Sequence, residues 1–340
     1  MFMKKVLCVG ELLLRFSPAA NAEWITNNEM PVFIGGAELN VATALALWND
    51  PVKYFTAIPD NGISKDITHF LQQKNIDTSS INYSGDRLGI YYLQQGTDMK
   101  SAGTVFDRQH SSFASLGIGV VDWEVVLEDV HWLHFSAIAP AVSKAAAALC
   151  KEMLEAASKK DIVISVDLNF RSLLWKYGMH PIEVMPELAK YCDVIMGNLW
   201  AANTLLGIPL SSSLNNENTQ HEYIDFATET ANHIFKNFEK CKWVANTFRF
   251  DEGEGINYYA TLNTASKQAV STFFKADKIV DKVGSGDCFM AGLIHGIVAN
   301  NSHQAIINFA AAAAFGKLQE KGDTTKNSLS KIEKLLDLYI

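Results

Sequence analysis

Along the chain, short apolar runs alternate with alanine-rich or amphipathic stretches, the rhythm of strand followed by helix. Val6-Leu7-Cys8-Val9 ends at Gly10 and reads as a buried strand. Val130 to Ala137 (VHWLHFSA) reads as another, and Ser143 is placed to cap a helix through the run from Ala145 to Ala157. Ile162-Val163-Ile164-Ser165-Val166 follows, completing a βαβ unit, so a parallel sheet with covered faces is expected there. Val194-Ile195-Met196 and Trp243-Val244-Ala245 read as further core strands. The polar segment Ser211 to His221 reads as a loop before a helix with Ile224, Ala227, Ala231, Ile234, Phe235 and Phe238 on one face. Ser330 and Glu333 have the spacing of a capping box that opens a last helix.

Two excursions break this rhythm. Leu12 to Phe16 and Met30 to Ile34 flank one polar segment, and Gly89 to Gln95 and Gly103 to Arg108 flank Gly96-Thr97-Asp98. Both pairs have the pattern of antiparallel hairpins. The expected organisation is one α/β unit (residues 1–11, 35–86 and 110–340) carrying a small β lid (residues 12–34 and 87–109). Lids over open α/β sheets exclude water from a reaction.

Composition narrows the function classes. At 340 residues, 48% of them apolar, the chain can build its own core without disulfide or metal. A net charge of −8 provides no basic field to collect a nucleic acid, though a local patch would suffice for a nucleotide. The five scattered cysteines lack a C-x-x-C pair and read as reduced thiols. The N-terminus turns polar at Glu11, too early for a signal peptide, and no apolar run has the length of a membrane span. A cytoplasmic protein with small-molecule partners, no nucleic acid and no membrane is expected.

Three clusters carry candidate chemistry. The first is Asp281-Lys-Val-Gly284-Ser285-Gly286-Asp287, followed by an apolar stretch that can continue as a buried helix. The amides of Gly284, Ser285 and Gly286 would then form an anion pocket at a helix N-terminus. Asp287, on the first turn, would be placed to take a proton from a hydroxyl. The same residues alone also read as a plain turn and helix start. The second cluster is Gly35-Gly36-Ala37-Glu38-Leu39-Asn40 before a helix, where glycines admit a ligand to the backbone and Asn40 offers both donor and acceptor. A strand-to-helix turn with a surface asparagine is the alternative. The third is Asp167-x-Asn169-x-Arg171, just past a strand end, where open α/β sheets bind ligands and an arginine can grip a carboxylate or phosphate. Arg108 is a further anion clamp of this kind, with a solvated surface position as its alternative.

Other motifs fail. A dinucleotide fingerprint needs a third glycine where Phe289 stands, and the chain contains no P-loop and no H-R-D or D-F-G signature. His131 and His134, three apart on a strand, point to opposite faces and cannot share a metal ion.

Taken in order, these clusters resemble the ribokinase/PfkB family of carbohydrate kinases over nearly the whole chain. The glycine pair with Asn40 matches the family's N-terminal signature, and D-x-x-G-x-G-D from Asp281 to Asp287 its C-terminal one. Within the family the chain is most similar to 2-keto-3-deoxygluconate kinases, through Gly36 to Ala42, Gly89-Ile-Tyr91, Phe106-Asp-Arg108, and Asp167-Leu-Asn-Phe-Arg171 with Trp175. The resemblance implies a ribokinase-like α/β fold, with a mostly parallel central sheet, helices on both faces and a β lid. It implies ATP-dependent phosphorylation of a sugar hydroxyl, with Mg²⁺ arriving on the nucleotide and Asp287 as base. Gly284, Ser285 and Gly286 would stabilise the moving phosphoryl group.

Gly35, Gly36, Asn40, Tyr91, Phe106, Asp167 and Asn169 would line the sugar pocket, and Arg108 and Arg171 would meet an acid group. Asn198, Thr247, Arg249 and Asn308 fall on the nucleotide side, and Asp281 would help hold a monovalent cation such as K⁺. A homodimer formed through the lid is a further implication. The sequence departs from the family at Ala201, where a glutamate is common, at Thr247-Phe-Arg249-Phe, read as the nucleotide loop, and at Phe106, usually a tyrosine in keto-acid kinases. The expected reaction is phosphorylation of 2-keto-3-deoxygluconate to its 6-phosphate. A neutral-sugar kinase of fructose or ribose type and a non-catalytic sugar sensor are the alternatives.

Overall fold

The computed structural model describes residues 4–95, 104–215 and 218–339; the expected lid turn Gly96-Thr97-Asp98 and Gly103 lie outside them. Its centre is a ten-stranded sheet. Ile76–Asp77, Val52–Phe55, Lys5–Val9, Val130–Ser136, Val163–Asp167, Val194–Gly197 and Trp243–Glu252 lie side by side in that order, each parallel to its neighbours. Gly255–Asn263 then closes the edge antiparallel, pairing with Gln268–Val270 and Phe274–Ala276.

The apolar runs are continuous because both faces are covered. Within Lys5–Val9, Val6 and Cys8 join a core on one face, and Leu7 and Val9 join a core on the other. The first core is sealed by helices Ala37–Leu47, Ser285–Val298 and His303–Lys317. The second is sealed by Lys144–Lys159, Pro181–Ala189 and Gln220–Asn237. Ser143 caps Lys144–Lys159 by accepting from the Ala146 amide at 3.0 Å.

The two excursions build a separate four-stranded sheet, ordered Val32–Gly35, Leu13–Phe16, Gly89–Tyr92, Val105–Asp107. Each excursion is an antiparallel hairpin, and the two join through a parallel pairing of Leu13–Phe16 with Gly89–Tyr92. Leu13, Tyr91 and Leu93 pack from this sheet onto Val283, just before the glycine turn of the main unit.

Three local expectations are corrected. Thr247-Phe-Arg249-Phe is not a loop: the strand beginning at Trp243 runs on to Glu252, because Phe248 inserts into an aromatic cluster and stacks on Tyr259 at 4.9 Å. No capping box opens the last helix. Leu329–Asp337 begins two residues after Asn327, with Ser328 as N-cap, and Ser328 Oγ bonds Ser330 Oγ instead of the backbone. The polar loop ends earlier than expected, since Thr219 and Glu222 form a reciprocal capping box and make Gln220 and His221 helical.

Candidate active site

Parallel strands bring their carboxyl ends to one edge of the sheet, where such folds bind ligands. Here that edge holds Glu11, Ser136, Asp167 and Asn198, and two helices begin beside it. Helix Ala37–Leu47 starts from Gly36 at φ 136° and helix Ser285–Val298 from Gly284 at φ 79°. Glycine is required at both: a Cβ would lie 2.5 Å from the Glu11 carbonyl oxygen at Gly36 and 1.9 Å from that of Asp323 at Gly284.

Gly286 differs. Beyond its chain neighbours and the backbone of its own helix, no protein atom lies within 4 Å of where its Cβ would be, so the protein interior does not demand glycine there. Its bare backbone instead leaves the helix mouth open. The helix carries no side-chain cap, so its first amides look outward with the positive end of the helix dipole. Ser285 has a structural task as well, donating its hydroxyl to the Ala314 carbonyl at 3.0 Å and pinning this helix to its neighbour.

Asp287 lies on the first turn, 7% exposed, and accepts a 2.6 Å hydrogen bond from Asn40 Nδ2. That bond joins the two glycine turns. Burial raises the Asp287 pKa to about 6, against the lowering effect of the Asn40 bond and the Arg171 charge. Asp167 is buried nearby, and burial with the Asp287 charge holds its pKa well above the usual carboxylate range. Asn169 and Arg171 follow it half-buried, and Arg171 Nη1 donates to the Phe170 carbonyl at 3.0 Å.

Other expected residues find different partners. Tyr91 donates its hydroxyl to Asp323 Oδ2 at 2.8 Å, with the Phe106 ring 5.9 Å away. Gly35 makes room for the same carboxylate, since a Cβ there would sit 2.4 Å from Asp323 Oδ2. Arg108 is drawn to Glu11, to which Nε donates at 2.6 Å and Nη2 pairs at 2.5 Å. Thr247 and Arg249 share a strand face with Ala245 and Tyr258, the face whose buried residues join the first core. Asn198 caps its own helix through the Ala201 amide at 2.8 Å, and Ala201 is buried in the core. Asn308 accepts from the Thr272 amide and from Gln304. Asp281 accepts from the amides of Val283 and Gly322 and from Arg15 Nη2.

Sequence reasoning missed Glu11, Arg15, Glu38, Lys317 and Asp323, which the fold buries around these turns. Apart from Lys317, which donates to the Glu320 carbonyl three residues on, their partners lie far away in the chain, so no local spacing announces them. Glu38 accepts from Ser136 through both its amide (2.9 Å) and its hydroxyl (2.5 Å), and burial raises its pKa to about 7. His134, facing Ser165 Oγ at 3.0 Å, has its pKa lowered to about 3 by burial. Among the described residues, no group of three or more His, Cys, Asp or Glu could hold a metal ion. No described helix is long and apolar enough to cross a membrane.

A buried carboxylate beside an uncapped helix N-terminus, at the ligand edge of a parallel sheet, is an arrangement suited to bringing an anionic group to a hydroxyl. The chain belongs to the PfkB family of carbohydrate kinases, whose model, described as pfkB family carbohydrate kinase, matches residues 3–330. It is similar to the crystal structure of 2-dehydro-3-deoxygluconokinase from Thermotoga maritima. That likeness has TM-score 0.87 and 30% identity, covering 99% of this chain and 100% of that one. A 2-dehydro-3-deoxygalactonokinase of Haloferax volcanii is 22% identical over 98% of this chain and 96% of its own. A 5-dehydro-2-deoxygluconokinase of Clostridium beijerinckii is 20% identical over 91% and 85% respectively. The protein is therefore a carbohydrate kinase with the ribokinase-like fold, and kinases of this family use ATP with Mg²⁺.

Proposed function

We propose that this kinase transfers the γ-phosphoryl group of ATP to a sugar acid, converting 2-keto-3-deoxygluconate to its 6-phosphate. The observation that carries the reading is the Asn40–Asp287 hydrogen bond, which sets a buried carboxylate beside the open mouth of helix Ser285–Val298. Asp287 takes the proton of the attacking hydroxyl. Its raised pKa makes it a stronger base than an ordinary aspartate while leaving it mostly ionised at neutral pH. The amides of Gly284, Ser285 and Gly286 hold the negative charge of the phosphoryl group in flight. Mg²⁺ comes with the nucleotide and neutralises its phosphates.

Gly36, Asn40 and Asn169 face the sugar, with Gly35, Tyr91, Phe106 and Asp167 shaping its pocket. Arg171 takes the carboxylate, and Arg108, steadied by Glu11, supports it. Thr247 and Arg249 approach the nucleotide from the strand face toward the first core, with Asn198 and Asn308 organising the segments around it. The small sheet acts as the lid.

The test is ADP release measured over a panel of sugars and sugar acids, with the keto-deoxy acids expected to give the highest kcat/KM. Asp287→Asn should lower kcat by roughly 10²–10⁴, the usual weight of general base catalysis. Full activity in that variant ends the assignment. A neutral-sugar acceptor is the second reading, favoured by Arg108, whose charge Glu11 already balances. Arg171→Ala separates the two: kcat/KM collapses for an acid substrate and barely moves for a neutral one.

A further inference from the structure

Beneath the glycine turn lies a charged group that the transfer reaction leaves unused. Lys317 ends helix His303–Lys317 and is completely buried, at 0% exposure. A Cβ on Gly284 would sit 3.4 Å from Lys317 Cε, so this side chain runs directly under the N-cap of the anion-binding helix. Its ammonium donates to the Glu320 carbonyl oxygen at 3.1 Å. Burial lowers the Lys317 pKa from its ordinary value, and the charges of Asp281, Glu320 and Asp323 oppose that shift in favour of the protonated form. Arg15 enters the same cluster, pairing with Asp281 at 3.2 Å and Asp323 at 2.8 Å.

The family resemblance implies a monovalent metal ion beside Asp281, and the residues present do not fit one. Both Asp281 oxygens accept from nitrogen donors: Oδ1 from the Val283 amide, Oδ2 from the Gly322 amide and Arg15. The Glu320 carbonyl, an oxygen that a bare cation would need, accepts from Lys317. We infer that the Lys317 ammonium is a built-in monovalent cation that stands in for K⁺, holding the Gly284–Gly286 turn in its anion-binding form without added metal ion. An ammonium can play this part because it matches K⁺ in charge and presents three directed donors to the surrounding oxygens. Lys317 is thus a positioning residue that acts through the turn.

The activity readout rests on the kinase reading, whereas the binding readout stands without it. In tetramethylammonium salts, the wild-type enzyme should phosphorylate its substrate at the same rate as in saturating K⁺. Activation of about tenfold or more by K⁺, the scale of a transition-state electrostatic contact, overturns the inference. Lys317→Met should lose activity in tetramethylammonium and recover part of it in K⁺ or NH₄⁺. Full activity of Lys317→Met without either ion also overturns it, because a merely structural lysine creates no cation requirement.

Should Lys317→Met fail to fold, Tl⁺ soaked into wild-type crystals decides the matter. An anomalous peak at the turn refutes the inference, and its absence there supports it. If no acceptor is phosphorylated in any salt, the kinase reading falls, while the Tl⁺ result still judges Lys317.

Discussion

At the scale of single residues, the role proposed for Asp287 as base ties chemistry to pH. Its native pKa of about 6 lies above the ordinary aspartate value of 3.8, chiefly because the group is buried. The base form is lost as pH falls through about 6, so kcat/KM should drop below that pH and level off above it. The sign for stability is opposite. A carboxyl with a raised native pKa favours folding most below its unfolded value and loses that contribution as pH rises through the native one. Asp287→Asn removes this cost at neutral pH, so that variant should melt no lower than wild type. A clear fall in Tm at neutral pH would count against a base held in place at the expense of stability. Gly286 provides the complementary case. With open space around its α-carbon, Gly286→Ala should gain about 0.5–1 kcal/mol in helix stability. Its methyl group obstructs the anion site, however, so kcat/KM should fall on the order of 10²-fold, as when an oxyanion donor is lost. Retained activity would show that nothing needs to approach that backbone.

At the scale of elements, Glu38 links a helix to a strand end. Its carboxylate joins helix Ala37–Leu47 to Ser136 at the end of Val130–Ser136, and Gly10 leaves the room it needs: a Cβ on Gly10 would lie 2.0 Å from Glu38 Oε2. Gly10→Ala should therefore destabilise the protein by about 1–3 kcal/mol, the usual range for overpacking a core, measured by urea unfolding. Gly62→Ala, at a position with no atom within 4 Å, is the control. Much of the element map was legible because its signals are local. The β-branched runs gave the parallel strands, alternation gave both hairpins of the small sheet, and Ser143 marked its helix. The glycine turns were legible because positive φ and close backbone approach leave few other residues possible. Where the reading failed, long-range packing decided. Phe248 extended a strand through the expected nucleotide loop because Tyr223 and Tyr259 were there to receive it. Arg108 left the class of unpaired anion clamps because Glu11, 97 positions away, accepts from it in the interior.

At the scale of the whole molecule, the question is how two sheets with separate cores become one site. Apolar contact between them runs through Leu13, Tyr91, Leu93 and Val283 with the Phe106 ring at the edge, and through Leu14 and Ile34, which pack from the small sheet against the first core. A second tie is polar and buried. Arg15 leaves the small sheet to reach Asp281 and Asp323, stacks over the Phe33 ring at 4.3 Å, and is 3% exposed. Tyr91 reaches Asp323 from the adjoining strand. Removing one partner from such a group strands the others without water, at a typical cost of about 3–5 kcal/mol. Arg15→Met should accordingly destabilise the protein by that order, and Arg15→Met with Asp323→Asn should recover a substantial part, since the second change removes a carboxylate left unpaired. The same double substitution cannot restore the connection between the sheets. Hydrogen exchange in Leu13–Phe16 and Gly89–Tyr92 should therefore remain faster than wild type even where global stability returns. Equal exchange in wild type and the double variant would mean that the small sheet is held by its apolar contacts alone, and that Arg15 contributes stability without coupling the lid to the glycine turn.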